Sequence, residues 1–373
     1  MNLTMRGTMD MGAERQFEQR QQGLSLVELM IALALSSALI LGIFTVYLDS
    51  SQTSRLSNSL ARIQESGRIA INMMAKDLRM VGFQGCADPD DVTLNILAQN
   101  PPTNDFFQTT LRGWEVTDSA TWADGTELDG DSIESRARLG SDVLAIQRGE
   151  TAEIEMTGQM TSDNANIQVT GADVGLFTKG DLVLISDCEA ADLFRISSQP
   201  SSDTWAHANN VNTSNKLSQA YKESARIMRF LGTIYFVADT GRDDDNGNDI
   251  FALYRGNRNL ANSATPNPLY QVEEIVEGVE SLQIEYGERV GANSVRYTTA
   301  DNVSDMTSVI AVRVGLLVSD PGAVRIDSDG STYDLPGASV IPASSAGTGD
   351  VAHAEDRRLR RVFTSTVMLR NRD

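Results

Sequence analysis

The chain has 373 residues, of which 41% are hydrophobic, and a formal net charge of −20 at pH 7. This length and apolar content suffice for one large or two modest domains with a buried core. The acidic balance argues against the basic patch that nucleic acid binding requires and favours solubility, so no nucleic acid partner is predicted.

The first predicted element is an apolar helix that follows Gly23. Residues 24–48 contain Glu28 near their start, and at about 1.5 Å per residue they can cross roughly 30 Å of hydrocarbon. An acid at the centre of such a helix costs about 2.5 to 3.5 kcal/mol on insertion scales. Glu28 can reach the interface while the helix is in lipid, but it needs a cation if the helix packs among copies of itself. A membrane-spanning segment with one functional acid is therefore predicted.

The segment before this helix, residues 1–23, has the reverse order of a secretory signal. An ordinary signal is cleaved after its apolar core, whereas the one plausible processing point here, Gly23, precedes the core. The three arginines and three acids of this leader cancel in charge. Cleavage after Gly23 would leave the helix on the mature chain, with a free amine at Leu24 that could neutralise Glu28 of a neighbouring subunit.

Gly23, Leu24, Ser25 and Glu28, followed by the apolar run, resemble the class III signal of type IV pilins and type II secretion pseudopilins. In that family a prepilin peptidase cuts after the glycine and methylates the new N-terminus. The resemblance therefore implies cleavage after Gly23 and methylation of Leu24. Because Gly23 has no side chain, the backbone there can lie extended in a protease cleft. Leu24 departs from the pattern, because phenylalanine is commoner there. A signal anchor with a chance glycine and acid is the competing interpretation.

The helix is predicted to continue over residues 49–82 as an amphipathic half. A continuous helix over residues 24–81 would measure about 85 Å. Charged residues occupy one face of the second half, and apolar or small residues recur every three or four positions on the other. The apolar face contains Leu56, Leu60, Ile63, Gly67, Ala70, Met74, Leu78 and Val81.

Residues 83–373 show the period of strands instead of helices and form one predicted β-rich globular domain, because no linker divides them. The segment 309–318 alternates apolar residues and has a partly apolar second face, which predicts a central strand. Residues 362–369 are predicted to lie beside it. The other predicted strands are 142–148, 181–187, 232–238, 250–254 and 279–286. Predicted polar loops are 197–219, 240–249, 256–268 and 330–356.

The two cysteines are Cys86, directly after the long helix, and Cys188, at the end of a predicted strand. On the oxidising side of a membrane such a pair favours a disulfide. The chain-entropy model values the closure of a loop of about 100 residues at roughly 4.7 kcal/mol. Two buried free thiols are the alternative.

Enzymatic function is disfavoured. The two histidines, His207 and His353, lie in loop-like contexts, so a multi-histidine metal site is excluded. The sequence has no nucleotide-binding loop of the G-x-x-x-x-G-K-[ST] type and no H-E-x-x-H motif. We therefore predict a non-enzymatic protein without a cofactor.

The acidic run 242–249 is a weak calcium candidate through Asp243 and Asp245. Its glycine, Gly247, is misplaced for an EF-hand loop, and no acid follows six residues later. A solvated acidic turn is the favoured interpretation.

Arginines cluster near the C-terminus against the acidic background. The first interpretation is a charged edge that flanks the last strand. The second is a docking surface for an acidic neighbour, since complementary patches set register and partner choice. The residues assigned to this surface are Arg357, Arg358, Arg360 and Arg361.

The order of several internal segments resembles the PilW family of type IV pilus minor pilins, and this similarity spans most of the chain. The segments are GFQGC, DCEAADLFRIS, VEGVESLQIEYG, VIAVRVGLLVS and DRRLRRVFTSTVMLRNR. The resemblance implies an α+β, pilin-like fold, in which the long N-terminal helix, transmembrane in its first half, packs on an antiparallel β-sheet domain.

The same resemblance implies a low-abundance subunit that is anchored in the bacterial inner membrane by one span, with a periplasmic domain, and that later enters the cell-surface pilus. Its implied partners are other minor pilins, the major pilin, the prepilin peptidase, the inner-membrane assembly platform, a tip adhesin and inner-membrane lipid. A J-type pseudopilin of a type II secretion system shares the signal, helix and fold and is the nearest alternative. A membrane-anchored binding or enzymatic domain unrelated to filaments is the third.

Overall fold

The computed structural model describes residues 23–87, 91–103, 106–117, 122, 128, 132–150, 154–199, 203–263, 268–291, 294–347 and 350–372. Most of the predicted leader, residues 1–22, therefore lies outside the described residues. The chain divides into two units, Met1–Ser54 and Arg55–Asp373, and we describe each by itself.

The helices and strands follow one another along the chain. In the described residues they are α1 (Leu26–Leu78), β1 (Asn95–Ile96), α2 (Phe106–Thr109), β2 (Leu111–Glu115), α3 (Ser132–Arg136), β3 (Asp142–Gly149), β4 (Ile154–Glu155), β5 (Ile167–Gln168), β6 (Leu182–Ser186), β7 (Ala191–Arg195), β8 (Thr204–Trp205), β9 (Arg226–Asp243), β10 (Asp249–Arg258), β11 (Tyr270–Glu277), β12 (Val279–Gly291), β13 (Ser294–Thr298), β14 (Val309–Ala323), β15 (Tyr333–Asp334), β16 (Ser339–Pro342), β17 (Ala352–His353) and β18 (Arg358–Met368). Short 3-10 turns occur at Val174–Leu176, Ala300–Asn302, Met306–Ser308 and Ala343–Ser345.

The long helix α1 is one continuous element of 53 residues. Within the described residues it is the helix that is long and apolar enough to cross a membrane, and its apolar window is wholly exposed. In its second half, buried residues recur every three or four positions from Ser59 to Leu78, as the amphipathic pattern predicts. Leu56, which belongs to the predicted apolar face, is 41% exposed, so the buried face begins after it.

The large sheet has nine strands in the order β1-β7-β6-β9-β10-β11, with β3 and β4 also paired to β9 and β2 paired to β3. Its pairings are antiparallel except the short one between β1 and β7. The length of β9 allows β6 and β4 to pair with its first part and β3 and β10 with its second.

The second sheet has four antiparallel strands in the order β13-β12-β14-β18. The predicted central strand is confirmed, since β14 lies between β12 and β18, and the predicted strand beside it is β18. A three-stranded sheet, β15-β16-β17, and a two-stranded ribbon, β5-β8, complete the described strands.

One hydrophobic core joins the second half of α1 to both main sheets. It contains Ile63 and Met74 from the helix, Leu144 from the large sheet, and Val312 and Val314 from the second sheet. Removal of this much apolar surface from water is the main stabilising contribution to the domain. The α+β fold with a long N-terminal helix and antiparallel sheets agrees with the predicted fold class.

Two specific contacts fix α1 on the sheets. Gly67 meets the ring of Phe363 on β18 so closely that a Cβ at this position would collide with it. On the large-sheet side, Asp77 accepts hydrogen bonds from Arg148 Nη2 at 3.0 Å and from the Tyr235 hydroxyl at 2.6 Å. The helix therefore contacts one sheet through an apolar close approach and the other through a buried polar group that has two donors.

A disulfide joins Cys86 and Cys188, whose Cα atoms are 4.9 Å apart at a sequence separation of 102. It connects the segment that follows α1 to the turn between β6 and β7. The predicted pairing is therefore confirmed, and the alternative of two free thiols is wrong.

Candidate assembly site

The start of α1 is closed by a reciprocal pair of hydrogen bonds between Ser25 and Glu28. The backbone N–H of Glu28 donates to Ser25 Oγ at 3.2 Å, and the backbone N–H of Ser25 donates to Glu28 Oε2 at 3.3 Å. This is the capping box, which satisfies two of the backbone donors that a helix start leaves unpaired. Glu28 therefore has a local role that the sequence argument missed, although the S-x-x-E spacing at Ser25 is its known signal.

The capping box holds the Glu28 carboxylate beside the first residues of the helix. A negative charge is favourable there because it meets the positive end of the helix dipole. Glu28 and Leu24 are exposed, and Leu24 retains 76% of its accessible surface. Among the residues that the structure describes, the carboxylate has neutral partners from Ser25, and no cation compensates its negative charge.

The described fold does not require a glycine at position 23. A Cβ built on Gly23 meets no heavy atom within 4 Å, and the residue is exposed outside the helix. A substitution at this position therefore leaves the described fold unaffected, and any effect on maturation must arise from recognition by another protein.

The apolar half of α1 is compatible with lipid along its whole surface. Its serine and threonine side chains within the helix, Ser36, Ser37 and Thr45, donate to backbone carbonyls one turn earlier at 2.6, 2.7 and 2.9 Å. Hydroxyls that are satisfied within the helix do not require water or a neighbouring helix.

The predicted docking arginines separate into two groups. Arg357 and Arg361 are exposed, whereas the side chain of Arg358 is 3% and that of Arg360 0% exposed. Assigning Arg358 and Arg360 to a docking surface is therefore wrong, because both point into the protein and their charges have internal partners.

Arg360 lies among three acids. Its Nε donates to Glu280 at 2.9 Å, and its two terminal nitrogens donate to Asp356 at 2.8 and 3.0 Å and to Asp329 at 3.2 Å. Burial alone would raise the pKa of Glu280, but Arg360 and Arg138 together hold it below its ordinary value. The cluster is thus a set of paired charges in the interior.

Arg358 closes the turn of the calcium candidate. It donates to Asp244 Oδ2 at 2.9 Å and to the carbonyl of Asp249 at 2.9 Å. The weak candidates Asp243 and Asp245 are exposed, and no group of three or more His, Cys, Asp or Glu in the described part of the chain could hold a metal ion. The turn therefore directs Asp244 inward, to an arginine, and its role could not be read from the acidic run alone.

The backbone of this turn adds further donors to Asp244. The N–H groups of Asn246 and Asn248 reach its Oδ1 at 2.8 and 2.9 Å. Burial would raise the pKa of Asp244, but these hydrogen bonds and Arg358 hold it below its ordinary value. A carboxylate with this many donors is a structural anchor for the β9–β10 hairpin.

Comparison with known families supports the same assignment at both ends of the chain. Residues 19–44 match the prokaryotic N-terminal methylation motif. Together with the exposed apolar helix, this match defines the class: a pilin-like protein with a class III signal. Residues 234–371 match the family described as Type IV Pilus-assembly protein W, PilW, and this region contains the whole second sheet.

The two matches together support a PilW-type type IV pilin. PilW is a family of structural, pilus-assembly proteins. No curated protein and no solved structure matched the chain.

Proposed function

We propose that the chain is a non-enzymatic minor pilin that primes assembly of the type IV pilus in a complex with other minor pilins and lies at the filament tip. Its partners in this role are the prepilin peptidase, the inner-membrane assembly platform, the major pilin and a tip adhesin. Residues 1–23 are the leader, 24–48 span the inner membrane, 49–82 connect to the domain, and 83–373 form the periplasmic domain.

The observation that carries this proposal is the exposed, uncompensated carboxylate of Glu28 at the start of an apolar helix. In lipid the side chain lies close to the interface, where its charge is hydrated at small cost. Inside a filament the same charge loses water, and an unpaired desolvated charge is strongly unfavourable. The amine of Leu24 on a neighbouring subunit is the cation that cleavage after Gly23 creates, so this pair sets the register of assembly.

The first test is the N-terminus of the mature protein, measured by mass spectrometry of membrane fractions with and without the prepilin peptidase. Methylated Leu24 is expected when the peptidase is present and an intact leader when it is absent. Gly23→Ala should leave an unprocessed chain with an unchanged domain, because the added methyl group meets no neighbour. Cleavage elsewhere, or a mature N-terminus without the peptidase, contradicts the proposal.

The second test separates the charge of Glu28 from its role in the capping box. Glu28→Gln keeps a side chain that can complete the box but lacks the charge, whereas Glu28→Ala loses both. Both variants should be processed and both should give few pili, counted by electron microscopy. Normal pilus number in Glu28→Gln would show that capping, and not charge pairing, is the function of this residue.

A further inference from the structure

The strand β18 forms a free edge of the second sheet. Among the residues that the structure describes it pairs only with β14. The N–H of Leu369 donates to the Ile310 carbonyl at 2.9 Å, and this bond shows which residues of β18 direct their backbone groups toward β14. Since bonding and non-bonding pairs alternate, Thr364 and Thr366 turn their N–H and C=O groups outward, and no described backbone group bonds them.

An open groove runs between this edge and the flank of α1. Its volume is about 720 Å³, within the usual range of roughly 300 to 1,000 Å³ for ligand sites. A strand added to β18 would lie about 4.8 Å from it, and so under the flank of the helix. The groove is lined by Ala61, Gln64, Arg68 and Asn72 of α1 and by Phe363 and Thr364 of β18.

The charge around this groove is opposite in sign to that of the chain. Arg68 lines the groove together with one acid, Glu65. Two further exposed arginines lie along the same edge, Arg361 within β18 and Arg370 just after it. The whole chain has a net charge of −20. This local excess of positive charge complements an acidic partner and disfavours a basic one.

The outer edge of the large sheet provides a contrast. β11 lies at that edge and carries Glu273 and Glu274, but Arg255 of β10 and Arg242 of β9 pair with them at 2.6 Å. The charges of β11 are thus neutralised within the chain, whereas no described residue forms a salt bridge with Arg361.

We propose that the groove between α1 and β18 binds an extended acidic segment of another subunit of the pilus machinery, which adds to β18 as a further strand. That the partner is a pilus subunit rests on the proposed function. The outward N–H and C=O groups of Thr364 and Thr366 provide the main-chain bonds, and the arginines select for acidic side chains. Phe363, partly exposed in the groove, offers an apolar contact for one side chain of the incoming strand.

The direct experiment places a photo-reactive amino acid at Asn72, on the groove wall, in the full chain within its own cells. Mass spectrometry then maps the cross-linked peptide. We expect one contiguous segment of about five or six residues, the usual length of a strand, with net negative charge and belonging to another subunit. A probe at the exposed Asp327 is the control for random contacts.

Two substitutions, each with a matched control, test the mechanism. Thr364→Pro removes the outward N–H, and proline is tolerated on the solvent side of an edge strand; Thr364→Val keeps this N–H and is its control. We expect Thr364→Pro to lower the cross-link yield about tenfold, the factor that about 1.4 kcal/mol of binding energy produces. Arg68→Glu should also lower it, while Arg289→Glu, an equal charge change at an exposed residue of β12, should not.

Cross-links to a second copy of this chain, to a helical segment of another protein, or at the level of the Asp327 probe would overturn the proposal. Equal yields in Thr364→Pro and Thr364→Val would do the same. Arg68→Glu changes an exposed side chain, so it remains a test even if the proline variant fails to fold. If strand addition to β18 does not occur but the proposed function is right, Gly23→Ala still has no pili. Normal pili in Gly23→Ala would contradict the proposed function itself.

Discussion

Glu115 and Asp142 face each other across β2 and β3, and both carboxyls are held by backbone donors. Asp142 accepts from Ile284 N–H of β12 at 2.6 Å, and Glu115 accepts from Ala300 N–H at 3.1 Å. Burial, reinforced by the carboxylate of Glu115, raises the pKa of Asp142 well above its ordinary value. Burial also raises the pKa of Glu115. The pair therefore retains a proton to a higher pH than two exposed carboxyls would.

The raised pKa values of Glu115 and Asp142 predict that the stability of the domain falls as the pH rises. A carboxyl whose pKa is raised in the folded state contributes its full stability below its unfolded pKa, about 3.9 for Asp, and loses that contribution as the pH rises through the folded pKa. Asp142→Asn mimics the protonated form and has no such loss. The variant should therefore unfold at a temperature close to that of the wild type near pH 4 and at a higher one near pH 8.

Thermal unfolding of the full chain in detergent at several pH values measures this difference. The control is Asp327→Asn, the same change at an exposed side chain, which reports the effect of a lost charge alone. A gain for Asp142→Asn that does not grow with pH would contradict the raised pKa of the buried pair.

At the scale of single residues, local spacing in the sequence singles out candidate residues but does not give their contacts. The glycine, the acid at Glu28 and the two cysteines were predicted from local spacing or from the even number of thiols. The roles of Arg358 and Arg360 were not, because their partners Asp244 and Glu280 lie 114 and 80 residues away in sequence. A run of arginines has the same appearance whether it faces solvent or acids from distant loops.

At the scale of elements, each of the seven predicted strands corresponds to an observed strand, whereas β2, β7, β11, β13 and the strands of two to four residues were not predicted. The strand β11 is not predicted, because Glu273, Glu274 and Glu277 break the alternation, and the arginines that pair with these acids lie on other strands. Four predicted loops also contain strand residues. The polar end of β9, for example, is extended because β10 pairs with it in a hairpin, so pairing overrides composition.

Gly278 is the connection between β11 and β12, and its backbone has φ +85. Its N–H donates to Phe251 at 2.8 Å and its carbonyl accepts from Ser319 N–H at 2.7 Å. A Cβ at this position would collide with the carbonyl oxygen of Ser319. The collision is with backbone that the second sheet holds in place, so a flexible side chain cannot relieve it.

Gly278→Ala should therefore destabilise the domain by about 2 to 6 kcal/mol, from a strained φ and a steric overlap of roughly 1 to 3 kcal/mol each. Chemical unfolding followed by circular dichroism measures the loss. Gly291→Ala, near the other end of β12, is the matched control because its added methyl group meets open space. Equal stability of the two variants would show that the backbone at Ser319 can move.

At the scale of the whole domain, one buried network of charges connects parts that are far apart in sequence. Arg358 binds the hairpin between β9 and β10, and Arg360 binds Glu280 at the start of β12. The loops around Asp329 and Asp356 join through Arg360. The last strand thus holds the large sheet, the second sheet and the polar segment between β14 and β18 together through ionic contacts as well as through the apolar core.

Arg360→Met should destabilise the domain by about 3 kcal/mol, because Glu280 and Asp329 lose a hydrogen-bonded cation in the interior and retain Arg358 at 3.8 Å and Arg325 at 2.7 Å. Arg361→Met, at the exposed neighbour, should stay within about 0.5 kcal/mol of the wild type. Chemical unfolding of both variants measures this difference in stability. If both arginines lay on one exposed surface, the two variants would be equally stable.

The pH dependence of the destabilisation by Arg360→Met is an independent test of its cause. Burial favours the neutral form of Glu280 and of Asp329, but Arg360 helps to hold the pKa of both carboxyls below the ordinary value. Carboxyls with a lowered folded pKa stabilise the fold above their unfolded pKa, about 4, and lose that contribution as the pH falls through the folded one. The deficit of Arg360→Met should therefore be largest near neutral pH and shrink in acid. A deficit that is constant with pH would assign the loss to packing of the arginine stem instead of to its charge.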